Sequence, residues 1–297
     1  MDKPAGPTSH DVVARVRRAL GTRRIGHTGT LDPLATGVLP LVIGRATRLA
    51  SLLSGADKEY DAGVRLGEAT ATYDAAERIG PPPEPPPGIG FTHVDRALDP
   101  FRGAFEQTPP SYSAKKIAGV ASYRLARLGK AVEPRAVTVR VARLSLESYE
   151  RGLARLRVRA SAGFYVRSLA HDLGTALGCG AYLETLRRIR SGAFGEDTAV
   201  PLAAIEDAGA GAGRWMVPLA RVLPDIPAVI LTERGARRAV HGNELAGEDF
   251  TGQPTALGEG EGGVPPPRWR LFDGAGMLLG IAESRPGGVL HPVIVLV

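Results

Sequence analysis

Gly26-His27-Thr28-Gly29-Thr30-Leu31-Asp32-Pro33-Leu34-Ala35-Thr36-Gly37 carries three glycines, three threonines, one histidine and one acid, with almost no bulky packing residue. That composition makes a poor core element. It suits a loop held on an unusual path close to a ligand, because glycine permits backbone angles that other residues resist. Pro33 disfavours helical geometry at Asp32 and fixes the chain just beyond it. Asp32 is the only acid between Asp11 and Asp57. A carboxylate is thus presented on a stiffened loop among neutral and basic neighbours. An Asp before Pro commonly does no more than cap a turn. Here the apolar run Val38-Leu39-Pro40-Leu41-Val42-Ile43-Gly44 follows at once and reads as a buried strand. A glycine-rich loop leading into such a strand is a usual place for a working residue.

Around this loop lie 297 residues, enough for one large domain or for a medium and a small one. Hydrophobic residues make up 43% and charged residues 23%, the balance of a soluble globular protein. No apolar run approaches the ~18 residues that span a membrane. Met1-Asp2-Lys3-Pro4 runs straight into polar chain, so no secretory leader is expected. The single cysteine, Cys179, excludes an intramolecular disulfide and a cysteine-rich metal site. A cytoplasmic protein without metal or organic cofactor is expected. The net charge is +6, unevenly placed. Residues 1–50 sum to +5, 51–111 to −5, 112–192 to +11 and 193–297 to −5. Two basic segments split by an acidic one suggest a face built for a polyanion, although an arginine-rich composition alone produces many basic residues.

Taken in order, Ser9 reads as an N-cap, and Val12, Val13, Val16, Ala19 and Leu20 recur at helical spacing until Gly21. Arg15, Arg17, Arg18, Arg23 and Arg24 ride on this helix and its exit, suited to phosphate contact or simply to solvent. Arg45 to Leu53 begins another helical stretch. Lys58 to Gly67 reads as a strand with Tyr60 on its apolar face. Residues 80–90 contain six prolines and form a stiff connection. In 108–135, lysines and arginines interleave with Tyr112 and Tyr123, a pairing suited to backbone charge plus base stacking or to a surface hairpin. Val137–Leu146 and Leu153–Ala160 read as strands, the second placing Arg155, Arg157 and Arg159 on one face. Ser161 to Ser168 opens a helix that Gly178 ends. Arg167 falls in its first turn, where the helix dipole disfavours a cation unless a carboxylate faces it. Leu183, Leu186 and Ile189 read as a second short helix with Arg187, Arg188 and Arg190 outside. Beyond Asp225 the texture changes to a small β-rich module of some 70 residues.

Residues 26–39 resemble the signature of the TruB-type tRNA pseudouridine synthases. Asp2-Lys3-Pro4, Lys58-Glu59-Tyr60, Arg65-Leu66-Gly67, Pro110-Ser111-Tyr112-Ser113-Ala114-Lys115, Gly163-Phe164-Tyr165-Val166-Arg167 and Leu186-Arg187-Arg188 agree in order. The likeness covers roughly residues 2–220, and residues 225–297 resemble a PUA RNA-binding domain. The resemblance implies an α+β pseudouridine synthase fold: a mixed, largely antiparallel sheet flanked by helices over 1–222, with an RNA-gripping loop at 112–131. It implies isomerisation of uridine 55 in the tRNA TΨC loop by base flipping. Asp32 would be the nucleophile, Tyr60 would pack on the base and assist proton transfer at C5, and Arg167 would hold Asp32. Lys3, Tyr165 and Leu186 would line the pocket, His27 would fill the gap left by the flipped base, and Lys115 and Lys116 would contact the RNA. The chain departs from the family in three places. It lacks a short apolar strand before Asp2, Ala71 replaces an acid in Thr70-Ala71-Thr72-Tyr73-Asp74, and residues 80–90 have no counterpart.

The residue types suit that chemistry. Cleaving the uracil C1′–N1 bond needs a charged nucleophile, and an aspartate of ordinary pKa, about 3.9, is ionised at neutral pH without a base to activate it. A facing arginine stays charged and grips a carboxylate. A guide-RNA-dependent synthase similar to the dyskerin subunits is the nearest alternative, disfavoured by the gripping loop and the lack of a basic tail. A non-catalytic tRNA-folding protein is disfavoured by the set Asp32, Tyr60 and Arg167. The T arm of tRNA is the expected partner and a monomer the expected state. If the basic segments contact phosphates, the affinity for tRNA falls steeply and linearly in log–log form as salt rises. A flat salt response in filter binding would refute a basic RNA face.

Overall fold

The computed structural model describes residues 1–112, 116–117, 120–121, 135–252 and 268–297. Asp2–Lys3 (β1), Thr36–Val38 (β2), Lys58–Leu66 (β3), Gly103–Gln107 (β4), Val137–Glu150 (β5), Leu153–Ala160 (β6), Ala181–Ser191 (β7) and Phe194–Gly195 (β8) form one sheet. Their order is β1-β2-β7-β3-β6-β5-β4, with β8 beside β7. Only β2 and β7 run parallel; the other pairs are antiparallel. This is the mixed, largely antiparallel sheet expected. On β6, Ala154, Leu156, Val158 and Ala160 are buried, as alternation requires. The arginines between them do not form a bare polyanion track. Arg157 stands opposite Asp61 and Arg159 opposite Glu59, and they make ion pairs of 2.5 Å with Asp61 and 3.3 Å with Asp57.

Three local readings are corrected. Residues 181–191 are a strand, not a helix. Register shifts at Leu183/Thr185 and Arg188/Arg190 break the twofold alternation, so apolar residues recur every third position and imitate a helix. Ser9 is not the cap of the first helix, Ser9–Ala19 (α1). Its buried hydroxyl donates to the Leu31 carbonyl and accepts from the Leu31 amide. Thr8 caps instead: its Oγ1 accepts from the Asp11 amide while Asp11 accepts from the Thr8 amide, a reciprocal capping box. The run 38–44 is not one strand. Val38 ends β2, Leu39 and Pro40 intervene, and Leu41–Ile43 belongs to a separate two-stranded ribbon.

The chain separates into two compact units interleaved along the sequence. The first comprises Met1–Val16, His27–Pro40 and Ser54–Asp207. The second comprises Arg17–Gly26, Leu41–Leu53 and Ala208–Val297. In the second, Ala228–Ile230 (β9), Arg268–Phe272 (β10), Leu278–Arg285 (β11) and Val289–Val295 (β12) form a four-stranded sheet in sequence order. One core of this unit centres on Trp269 and Leu271. A second joins Leu49, Leu52 and Leu53 to Val222, Leu278, Ile281 and Leu296. The module after Asp225 thus borrows apolar residues from the first fifth of the chain. Such borrowing compensates for the small core that some 70 residues alone provide.

Most of the expected gripping loop, Lys115 included, lies outside the described residues; Lys116–Ile117 pairs with Val120–Ala121 in a short ladder. The proline-rich stretch is a loop excursion of the first unit, bringing Pro83 and Glu84 against Gly67 and Pro85 against Gly152. Among the described residues no helix is long and apolar enough to cross a membrane.

The helix Val166–Ala176 (α2) closes on the first residue of β7 at Gly174. A Cβ there would meet the Ala181 amide nitrogen at 2.1 Å. Alanine at an open helix site gains about 1 kcal/mol over glycine. Here overpacking outweighs that gain, and Gly174→Ala is expected to destabilise by about 2 kcal/mol or more. An unchanged or raised urea midpoint would show that this helix and strand do not meet so closely.

Candidate active site

The Asp32 loop has few packing side chains, so hydrogen bonds hold it. Lys3, fully buried on β1, donates its three ammonium hydrogens to the carbonyls of Pro4, Pro33 and Ala35 at 2.9, 3.4 and 2.7 Å. Ser9 clasps Leu31 from α1, and the Gly6 amide donates to Pro33 O at 2.8 Å. Behind the loop Arg188 is 1% exposed. Its guanidinium donates to Val38 O at 2.7 Å, Gly29 O at 3.1 Å and Thr30 O at 3.5 Å, and it bonds the Tyr60 hydroxyl. Gly37 lies where β2 meets β7; a Cβ there would sit 2.2 Å from Arg188 O, and its φ of +100° is one that side chains resist.

This scaffold turns Asp32 into a cavity of about 580 Å³. Tyr60, Lys58, Tyr165, Arg167, Leu186 and Arg188 share its walls with the loop. Arg167 Nε lies 2.9 Å from Asp32 Oδ2, with Arg167 side-chain exposure 7% against 33% for Asp32. The anion therefore faces the cavity while the cation sits behind it. Their contact is an ion pair without hydrogen-bond alignment of the Nε–H. The rest of the guanidinium is held tightly: it donates to Thr72 O at 3.2 Å and Tyr112 O at 2.9 Å, and lies 3.6 Å from Asp74. Asp74 is itself buried, accepting from Thr72 Oγ1 at 2.7 Å and the Ala76 amide at 3.0 Å. Two carboxylates thus flank one guanidinium, which answers why a cation occupies the first turn of α2. Buried Gln107 on β4 sets that turn, exchanging two hydrogen bonds with the Tyr165 backbone.

Burial pushes the Asp32 carboxyl above the ordinary carboxylate range; Arg167 and Lys3 oppose the shift and Asp74 adds to it. Burial likewise raises the Tyr60 hydroxyl, with Arg188 opposing. Burial lowers Lys3 and Lys58 to about 8, helped in each case by repulsion from Arg188.

Of the residues singled out from sequence, Asp32, Tyr60, Arg167, Tyr165 and Leu186 meet at the cavity. Lys3 and His27 do not line it. Lys3 lies beneath the loop because its donors are consumed by loop carbonyls, and half-buried His27 packs edge-on against His10 at 5.5 Å. Arg188, Lys58, Asp74 and Gln107 were missed as site residues. The first three stood inside motifs already singled out; Gln107 carried no sequence signal. Arg188, read as outside a helix, is among the most buried side chains of the chain.

The fold resembles those of chains in solved complexes. It matches a chain from an H/ACA ribonucleoprotein bound to a substrate RNA containing 2′-deoxyuridine with a TM-score of 0.72, at 24% identity, covering 100% of this chain and 83% of that one. It also matches a chain of a Cbf5-Nop10-Gar1 complex with a TM-score of 0.70, at 27% identity, covering 95% and 76%. Residues 17–166 match the TruB family pseudouridylate synthase N-terminal domain, and residues 167–223 match the tRNA pseudouridylate synthase B C-terminal domain. Similar proteins include the tRNA pseudouridine synthase B of Solibacter usitatus (strain Ellin6076), 43% identical over 100% of this chain and 98% of that protein. That of Pseudomonas aeruginosa (strain UCBPP-PA14) is 39% identical over 98% and 93%. The chain belongs to the TruB family of pseudouridine synthases.

Titrating the Asp32 carboxyl by carbon NMR in the full chain is expected to give a pKa above the ordinary value of about 3.9. Asp74→Asn removes a raising charge and moves it down; Arg167→Gln removes a lowering charge and moves it further up. Shifts in the reverse directions would contradict the electrostatics described.

Proposed function

We propose that the chain is a tRNA pseudouridine synthase that isomerises uridine 55 in the TΨC loop of tRNA. The observation that carries this reading is a half-buried carboxylate, Asp32, open to a cavity and held there by a buried arginine, in a chain 43% identical to a tRNA pseudouridine synthase B. The target nucleotide leaves its stack, which costs about a few kcal/mol. Its uracil enters beside Tyr60 and Leu186. The C1′–N1 bond breaks, a C1′–C5 bond forms, and the C5 proton is ultimately exchanged for one on N1. Asp32 supplies the nucleophilic or electrostatic partner; Arg167 positions it and Tyr60 assists at C5. No electrons enter or leave, so the reading needs no redox cofactor. The chain acts as a cytoplasmic monomer on the tRNA T arm, gripped by residues 112–131 with Lys115 and Lys116. His27 fills the space of the extruded base, and residues 225–297 serve as a PUA-like RNA-binding module. Guide-RNA dependence has the fold likeness to H/ACA chains in its favour. The near full-length likeness to proteins named tRNA pseudouridine synthase B weighs against it.

Incubating the chain with unmodified tRNA transcript and mapping pseudouridine by position tests the reading. Wild type is expected to modify position 55 without added RNA or protein. Asp32→Asn is expected to lose turnover completely while tRNA affinity stays within a few-fold. Modification elsewhere, or turnover by the variant, would refute the substrate or the role of Asp32 respectively.

A further inference from the structure

The basic residues of this chain divide into those whose charge an acid already answers and those left open. Arg15, at the start of the arginine-rich exit of α1, is bound by Glu206 through two bonds of 2.7 and 2.6 Å. Arg157 and Arg159 are answered by Asp61, Asp57 and Glu59. Arg234, Arg237, Arg238, Arg268 and Arg285 in the second unit each face a carboxylate. The two early segments of that unit, Arg17–Gly26 and Leu41–Leu53, differ. They carry six arginines and no acidic residue, and among the described residues none of the six makes an ion pair.

Four of these arginines lie on adjoining segments. The Gly44 amide donates to Arg24 O at 2.8 Å, and Arg24 Nε donates to Thr47 Oγ1 at 3.0 Å, so Arg23 and Arg24 lie against the turn bearing Arg45 and Arg48. That turn, the 3-10 helix Gly44–Leu49, is fixed by fully buried Leu49 and by Arg48 donating to Val295 O. Arg23, Arg24, Arg45 and Arg48 are all exposed. Four exposed arginines on adjoining segments, none with an acidic partner among the described residues, give this surface a local excess of positive charge. Guanidinium groups match phosphate oxygens in shape and charge.

We infer that Arg23, Arg24, Arg45 and Arg48 form a binding site of the second unit for the phosphodiester backbone of RNA, apart from the cavity residues that act on the base. The inference rests on the proposed tRNA substrate and adds the surface that holds it. Such contacts set the register of the RNA without reading its sequence.

The test uses the full chain, an unmodified tRNA transcript, and the double variant Arg23→Gln/Arg45→Gln. Among the described residues those two side chains make no hydrogen bond or ion pair, unlike Arg24 and Arg48, which bond to Thr47 and Val295. The control, Arg237→Gln/Arg268→Gln, removes equal charge from the same unit at paired positions. The site variant is expected to lose about tenfold or more in tRNA affinity at low salt, and the log–log salt slope is expected to shrink by about 1 to 2. Its kcat at saturating tRNA stays at the wild-type value, and the control stays within about twofold throughout. Equal losses in both variants, or none in either, overturn the arginine site even if wild type makes pseudouridine. If wild type makes none but the site variant alone loses RNA affinity, the proposed reaction fails and the binding site stands. A wild-type chain that binds no RNA overturns both.

Discussion

One guanidinium shared between two carboxylates is the constraint on which the cavity depends. Arg167 is almost wholly withdrawn from water, and an unpaired charge there would be strongly destabilising. Asp32 and Asp74 arrive from different segments to answer it, and backbone carbonyls of Thr72 and Tyr112 take up further N–H groups. The arrangement is unequal. Asp74 is buried and hydrogen-bonded on its far side, whereas Asp32 keeps a third of its side chain open to the cavity. A second anion beside the same cation weakens the hold on each. The half-buried Asp32 carboxylate is therefore anchored without being quenched, a useful state for a group that must meet a reacting atom.

The loop carrying Asp32 poses the opposite problem, because it is short of apolar anchors. Its rigidity comes from two buried cations acting as hydrogen-bond donors to carbonyls. Lys3 takes Pro4, Pro33 and Ala35, while Arg188 takes Gly29, Thr30 and Val38. Gly37 makes this possible by letting β2 lie against the Arg188 backbone. Arg188 also bonds Tyr60, so one side chain ties the loop to the aromatic wall of the cavity. Losing either cation would strand several carbonyls in a dry interior, with about 1 to 3 kcal/mol at stake for each one left unpaired.

Much of this was legible in the residues. The glycine-rich loop, the strands around Tyr60 and Leu156, and the need for an acid facing Arg167 followed from backbone preference, alternation and the helix dipole. What escaped did so for identifiable reasons. The bulges in β7 erased the alternation of Leu183 to Ile189, and with it the inward placement of Arg188. Lys3 was assigned to the pocket wall by family likeness, but its ammonium has three carbonyl acceptors, which only the folded loop brings together. Leu49, Leu52 and Leu53 showed a local helical period, yet local period does not tell which distant strands will bury them.

The interleaving of the two units also changes how the charge pattern reads. By sequence, residues 1–50 are one basic segment. In the fold they split three ways: Arg15 is neutralised by Glu206, Lys3 is buried as a structural donor, and the remaining six arginines fall to the second unit. The +11 of residues 112–192 is likewise discounted where Arg157, Arg159, Arg167 and Arg187 meet carboxylates. Net charge along a chain therefore overstates what is free to meet a polyanion. The physical quantity is the charge left after internal pairing, because an arginine already held by an acid must first surrender that partner. On that measure Arg17, Arg18, Arg23, Arg24, Arg45 and Arg48, none of them ion-paired among the described residues, keep their charge available to a phosphate.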